Sequence, residues 1–307
     1  MPCPLCGSES WKPVLTVPVT LATVEWQFRY VRCRDCGLVR LNPRPKQDFL
    51  LELYEQLEVV NEHGDGELFG RAYLTDQVSR REFVERHAGR GRLLDIGSGD
   101  GQFLHELKMS GWDAEAVEPV TSQAEFQRNS LGLEVHTGTV DEIDFGGRRF
   151  DIITLWSVLE HVPDPRATLA RVSELLAPGG RAVVGVPNLR SVEAKIFGAR
   201  WNGLGAPFHL FMFEPASMRK MAESAGLRVC NTIYASTAST MLQSLKSIIK
   251  SNDSPAADSA PALKMEIDWS PRAKSAKNVI FDRLVVPAYR LIDALHLGTG
   301  TIFILEK

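Results

Sequence analysis

The sequence predicts an α/β protein: a doubly wound, mostly parallel seven-stranded sheet, with a small N-terminal ribbon and a helical insertion ahead of its last strand. Three observations support this. From Arg92 onward, short apolar runs alternate with helical patterns, with strands near 92–96, 113–118, 133–136, 150–155, 180–186, 227–234 and 301–306. That is the order of a sheet covered by helices on both faces. A glycine turn, Gly97-Ser98-Gly99-Asp100-Gly101, follows directly on the apolar strand Leu93-Leu94-Asp95-Ile96. Near the N-terminus, Cys3-Pro4-Leu5-Cys6-Gly7 and Cys33-Arg34-Asp35-Cys36-Gly37 form two C-x-x-C-G pairs.

The cysteine pairs define the first element. Each glycine frees its turn so that both thiolates face one point, and four thiolates in tetrahedral array suit zinc. The 26 residues between the pairs contain Val14-Leu15-Thr16-Val17 and Trp26-Gln27-Phe28-Arg29-Tyr30-Val31, which alternate as a small β-ribbon. Such a ribbon cannot bury a core by itself, so metal binding would supply much of its folding energy. Four thiolates at Cys3, Cys6, Cys33 and Cys36 leave no open coordination position, which makes the expected Zn2+ structural. Redox pairs would need a βαβ setting that is absent here. An iron–sulfur cluster is the other metal reading. Cys230 stands alone in Leu227-Arg228-Val229-Cys230 and reads as a buried strand residue.

The expected ribbon covers 1–42, and Asn42-Pro43-Arg44-Pro45 marks its exit. Residues 43–90 read as a helical linker or lid. A helix from Gln47 to Val60 presents Phe49, Leu50, Leu53, Tyr54 and Leu57 on one face. A polar loop follows over 61–70, then a helix from Ala72 to His87. The main domain is expected over 91–235 and 300–307. Between these parts lies an insertion, 236–299, with helices over 241–250 and 278–297 and a small, polar, proline-punctuated linker at 251–262. The apolar stretch 279–292 follows Arg272, Lys274 and Lys277. It either packs on the domain as a lid or dimer face, or rests on a membrane surface through 272–297. Packing is favoured because apolar helices are usually core.

The 307 residues carry 35 basic and 38 acidic side chains, a net charge of −3. That balance gives no electrostatic case for nucleic acid as a partner. No basic-then-apolar leader and no apolar run of membrane-spanning length are evident, so a cytoplasmic chain is expected. Oligomeric state is not legible.

In the glycine turn, Gly97, Gly99 and Gly101 remove every second side chain. Backbone can then approach a ligand closely, with amides of the turn and following helix directed at it. Asp95 and Asp100 would repel a phosphate but attract an ammonium group. The dinucleotide fingerprint would also need glycine where Gln102 stands. The next strand ends in Glu118, about twenty residues on, the usual place for an acceptor of ribose hydroxyls.

Leu94-Asp95-Ile96-Gly97-Ser98-Gly99-Asp100-Gly101 resembles motif I of class I S-adenosylmethionine-dependent methyltransferases. The resemblance continues through Val117-Glu118-Pro119, Phe150 to Val162, Leu175 to Arg181 and Val186-Pro187-Asn188, and it covers roughly 70–235. It implies a Rossmann-like methyltransferase domain with S-adenosylmethionine as cofactor. Gly97, Ser98, Gly99 and Gly101 would run beneath the amino-acid part and ribose. Asp95 would engage the ammonium group, unless it merely caps the next helix. Glu118, followed by Pro119, would accept both ribose hydroxyls. Thr139 and Val140 match the segment that touches adenine. Leu155-Trp156-Ser157 would offer backbone to the methionine part, with Trp156 walling the pocket.

Two histidines are candidates for acid–base chemistry at the acceptor: His161, just past the fourth strand, and His209, among the aromatics and glycines of Trp201 to Phe213. Either imidazole could take a proton from an acceptor hydroxyl, or His161 could pack structurally. The His209 segment resembles the H-L-x-x-F segment of zinc-ribbon sugar C-methyltransferases. Ala206 and Phe208 stand where those enzymes carry a tyrosine and an acid. The expected reaction is therefore O-methylation of a small molecule, with a sugar, glycan or nucleotide-sugar intermediate favoured. Sugar C-methylation, O-methylation of a quinone-like or lipid acceptor, and a non-catalytic cofactor-binding module are the alternatives. Trp201, Trp156 and Phe208 would either stack on an acceptor ring or belong to the core.

Overall fold

A computed structural model of the chain describes residues 2–21, 24–46, 48–50, 52–53, 71–236 and 286–307. The N-terminal ribbon is an antiparallel hairpin of β1 (Trp11–Leu21) and β2 (Val24–Cys33), followed by β3 (Val39–Asn42). Residues 48–50 and 52–53 are helical. Leu50 is buried and Leu53 packs on the core, whereas Phe49 is 40% exposed, so the inward face is narrower than its spacing predicts.

Helix α1 (Arg71–His87) leads into an alternation of strands and helices. In chain order these are β4 (Leu93–Ile96), α2 (Gln102–Met109), β5 (Ala114–Glu118), α3 (Thr121–Leu131), β6 (Val135–Thr137), β7 (Phe150–Trp156), α4 (Pro165–Leu175) and β8 (Leu176–Pro187). Then come α5 (Val192–Phe197), β9 (Phe211–Met212), α6 (Pro215–Ser224), β10 (Arg228–Ala235), α7 (Val286–Ala294) and β11 (Gly300–Glu306).

The large sheet has the order β10-β11-β8-β7-β4-β5-β6. Strands β4 to β8 pair in parallel, and β11 runs antiparallel to both β8 and β10. Leu93, Leu94, Ile152, Ile153, Leu155, Val183 and Val184 are wholly buried, as a sheet covered on both faces requires. Strand order reverses between β4 and β7. In open α/β sheets, ligands bind beyond the carboxyl ends of the strands at such a switch point.

Three features depart from the sequence expectations. The ribbon sheet gains a fourth strand from far downstream: β3 pairs with β9, Arg40 opposite Phe211 and Val39 opposite Met212. Ribbon residues Tyr30, Leu38 and Leu41 share one core with Phe211, Phe213 and the sheet. Cys230 is exposed, contrary to the buried placement expected. It sits at the irregularity between Val229 and Asn231 on the edge strand β10, with its thiol toward the Ile304 carbonyl. Finally, β8 starts at Leu176, four residues earlier than expected.

The expected loop at 61–70, helix at 241–250 and linker at 251–262 lie outside the described residues, as do Tyr54, Leu57, Arg272, Lys274 and Lys277. Among the described residues no helix is long and apolar enough to cross a membrane.

Candidate active site

At the switch point, β4 ends in a turn whose three glycines all have φ near +60° to +76°. Gly97 lies so close to Val158 that a Cβ would stand 2.6 Å from its Cγ2, and a Cβ on Gly101 would meet Gln127 at 2.5 Å. Gly99 differs: among the described residues its nearest neighbour is Gln123 Oε1 at 4.0 Å, so a Cβ there would meet no close contact with them. The turn is held from α3. The fully buried Gln127 accepts from Ser98 Oγ (2.9 Å) and donates from Nε2 to the Gly99 carbonyl (2.8 Å).

Glu118 ends β5 beside this turn, buried, with one carboxylate oxygen accepting from the Gly99 amide (2.7 Å) and the other from the Val120 amide (2.9 Å). On the other flank Asp95 is buried and accepts from Thr154 Oγ1 at 2.6 Å. The Arg80 guanidinium of α1 stands over the Trp156 ring and acts electrostatically on Asp95. A buried carboxylate with a guanidinium nearby suits the ammonium and carboxylate of an amino-acid tail. Ser157 has φ +54°, a left-handed conformation unusual outside glycine, at the exposed end of β7.

Beyond β7, Glu160, His161 and His209 come together, with one ligand atom from each lying within 4.8 Å of the others. The two imidazoles meet edge to face at 4.5 Å. His209 Nδ1 lies 3.0 Å from the Gly203 carbonyl, so this nitrogen carries the proton and Nε2 keeps its lone pair. His161 similarly donates to the Phe208 carbonyl. Burial pushes His209 down to about 4 and His161 well below its ordinary value, aided for His161 by the neighbouring His209, so both rings are neutral at pH 7. Glu160 is wholly buried, and neither carboxyl oxygen has a hydrogen-bond partner among the described residues. Burial raises it to about 8, so it is mainly protonated at neutral pH. One carboxyl and two imidazoles also form a donor set that could hold a divalent cation.

The methyltransferase domain family matches residues 68–232, more than half of the chain. This chain belongs to that family. A ubiquinone biosynthesis O-methyltransferase of Azorhizobium caulinodans is 30% identical over 176 residues, which cover 48% of this chain and 70% of that protein. A protein of the same description from Cereibacter sphaeroides is 32% identical over 140 residues, covering 42% of this chain and 57% of its own length. A solved SAM-dependent methyltransferase of Archaeoglobus fulgidus is similar at 16% identity and a TM-score of 0.48, over 85% of this chain and all of that one.

In this methyltransferase the turn residues Gly97, Ser98, Gly99 and Gly101, with Asp95, Glu118 and Trp156, all lie along the carboxyl edge at β4, β5 and β7. Pro119 is exposed just beyond Glu118. Thr139 is exposed, its amide and hydroxyl both bonded to Glu142. The Val140 side chain is core and its carbonyl accepts from Arg171, so its outward contribution is restricted. Trp201 (2% exposed) and Phe208 (7%) are core residues, which removes them as stacking surfaces. Trp156 is half-buried, edge-on to Phe83 and Phe103.

Gln127, Arg80 and Glu160 lie in the candidate site, and sequence reasoning did not single them out. Gly205 is another: a Cβ there would stand 2.5 Å from the His209 ring. A glycine four residues before an isolated histidine was the available signal.

The cysteines also converge. Sγ atoms of Cys3 and Cys36 are 3.4 Å apart, and those of Cys6 and Cys33 are 3.6 Å apart. Four thiolates at zinc bonding distance in a tetrahedron are about 3.8 Å apart. Amides of Leu5 and Cys6 face Cys3 Sγ, and those of Asp35 and Cys36 face Cys33 Sγ, as thiolates need. None of the four forms a disulfide.

Proposed function

We propose that this methyltransferase methylates a hydroxyl of a small molecule, with a phenolic or enolic acceptor favoured over a sugar alcohol. One observation carries this reading. His209 is tethered through Nδ1 and stays neutral, which leaves Nε2 able to accept a proton. A base depressed to about 4 is weak. A phenol near the ordinary tyrosine value of about 10 gives up its proton to such a base more readily than a less acidic sugar hydroxyl does. The descriptions of the curated relatives as O-methyltransferases support oxygen as the accepting atom. Ala206 and Phe208, in place of the tyrosine and acid of sugar C-methyltransferases, weigh against carbon methylation.

S-adenosylmethionine, when bound, supplies the electrophilic methyl group. Glu118 accepts the ribose hydroxyls, Asp95 and Arg80 hold the zwitterionic tail, and Gly99, having no side chain, lets the nucleoside approach the backbone. His209 Nε2 takes the acceptor proton, and His161 and Glu160 keep its surroundings uncharged. Labelled methyl donor offered with a panel of phenols and a panel of nucleotide sugars tests the reading. Label in the phenols is expected. Label only in sugar carbon would overturn it, and cofactor binding with no turnover on either panel would mark a binding module.

Burial raises the Asp95 carboxyl to about 7, partly offset by the Thr154 hydroxyl and Arg80. The ionised form that attracts an ammonium therefore dominates above pH 7 and is lost as pH falls below it. Affinity for S-adenosylhomocysteine should weaken by about tenfold per pH unit below 7. Calorimetry across pH should show this slope in the native protein and a flat profile in Asp95→Asn.

Cys3, Cys6, Cys33 and Cys36 hold a structural zinc in this reading. Elemental analysis should find about one zinc per chain, lost in Cys33→Ser. Metal-free protein with an intact ribbon would contradict it.

A further inference from the structure

The ribbon and the candidate base are joined by one side chain. Tyr30 on β2 is wholly buried, and its hydroxyl lies 2.6 Å from the Leu204 carbonyl and 2.8 Å from the carbonyl of His209 itself. A phenol has one proton, so the two carbonyls share it, and the segment from 204 to 209 is closed around that point. The same turn, with Gly203 just ahead of it, receives the His209 ring: Gly203 accepts from Nδ1, and Gly205 makes room for the imidazole.

The chain just past His209 is then zipped onto the ribbon. Leu41 donates to the Leu210 carbonyl at 2.9 Å, β9 pairs with β3, and Arg32 forms a 2.6 Å ion pair with Glu214. Tyr30 sits opposite Leu41 in the β2–β3 pairing. Cys33 ends β2 and Cys36 lies in the turn before β3. The cysteine cluster therefore fixes the two strands that carry both clamps. The glycine cradle, Glu118 and Asp95 stand on other strands, tied by Gln127, the Gly99 and Val120 amides and Thr154.

We propose that Tyr30 is the positioning residue for His209, and that metal held by the four cysteines is a condition for proton acceptance but not for cofactor binding. This rests on the reading of His209 as the base. Loss of the hydroxyl removes the tyrosine donor from both carbonyls, one of them in a fully buried contact, and the 204–209 segment shifts to find others. The imidazole then loses the Gly203 anchor that fixes its tautomer. Tyr30 stays a donor at all working pH values, because burial, with Glu160 nearby, raises its phenol well above the ordinary value.

The test uses the full zinc-loaded chain with 15N-labelled histidine. In Tyr30→Phe, the His209 nitrogen signals should move from a single Nδ1–H tautomer toward a tautomer mixture. kcat should drop on the order of tenfold to a hundredfold, while KM for the methyl donor and the calorimetric affinity for S-adenosylhomocysteine change less than about twofold. Glu214→Gln, which loosens β9 without touching His209, should move the same signals in the same direction. Zinc removal by a chelator should reproduce the spectrum with S-adenosylhomocysteine affinity kept.

Unchanged His209 signals in Tyr30→Phe would overturn the positioning role, and loss of cofactor binding on zinc removal would overturn the claimed separation. If the signals move as expected but His209→Ala is fully active, the base reading fails while the Tyr30 tether stands.

Discussion

His209→Ala is expected to lower kcat by about 10² to 10⁴, the usual contribution of a positioned general base, and to leave the affinity for S-adenosylhomocysteine unchanged. The separation follows from the architecture. His209 lies in the segment that leads into β9, held to Gly203 and Tyr30. The cradle is built from β4, β5 and α3, with Gln127 and Glu118 as its ties. His161→Ala should be milder, because its ring N–H is committed to Phe208 and it supports the neutral ring beside it. Comparing single-turnover rates of the two variants at saturating donor would separate the roles. Equal losses in both would mean that the pair acts as a unit, and no loss in either would send the proton elsewhere. Because His209 is neutral well below pH 7, kcat in the native protein should not fall until the pH approaches about 4.

Glu118→Ala is expected to weaken S-adenosylhomocysteine binding by roughly 100-fold, since two hydrogen bonds to a charged acceptor contribute on the order of 3 kcal/mol. The carboxylate also holds the Gly99 and Val120 amides, and so fixes the turn against the next helix start. Glu118→Gln keeps one accepting oxygen and should fall between the two. A thermal melt of each variant without ligand distinguishes lost binding from lost folding. A variant that melts like the native protein and binds with native affinity would remove Glu118 from the ribose site.

Much of this site is legible in the chain because its determinants are local. An apolar strand, alternate glycines and an acid one strand later, over Leu93 to Glu118, specify the turn and its flanking charges without knowledge of the rest. The two C-x-x-C-G pairs announce their convergence the same way. What was not legible depends on distant pairing. Phe211 and Met212 form a strand of two residues, too short for any periodicity, and exist as β9 only because β3 offers a free edge. Gln127 reads as a polar helix residue, and only the approach of α3 to the turn makes it a clamp. Phe208 and Trp201, aromatic among glycines, are equally consistent in sequence with stacking on an acceptor ring and with the core. They are core because the ribbon covers them, which the isolated segment does not reveal. Cys230 carried the opposite error: an apolar setting suggested burial, and an edge strand exposed it.

The most direct measurement is calorimetric titration of the folded, zinc-loaded chain with S-adenosylhomocysteine at pH 8, where Asp95 is ionised. The structure predicts one molecule bound per chain through the turn at Gly97–Gly101 and the Glu118 carboxylate. Absence of binding by a protein with an intact melting transition would contradict the assignment of this crevice as the cofactor site.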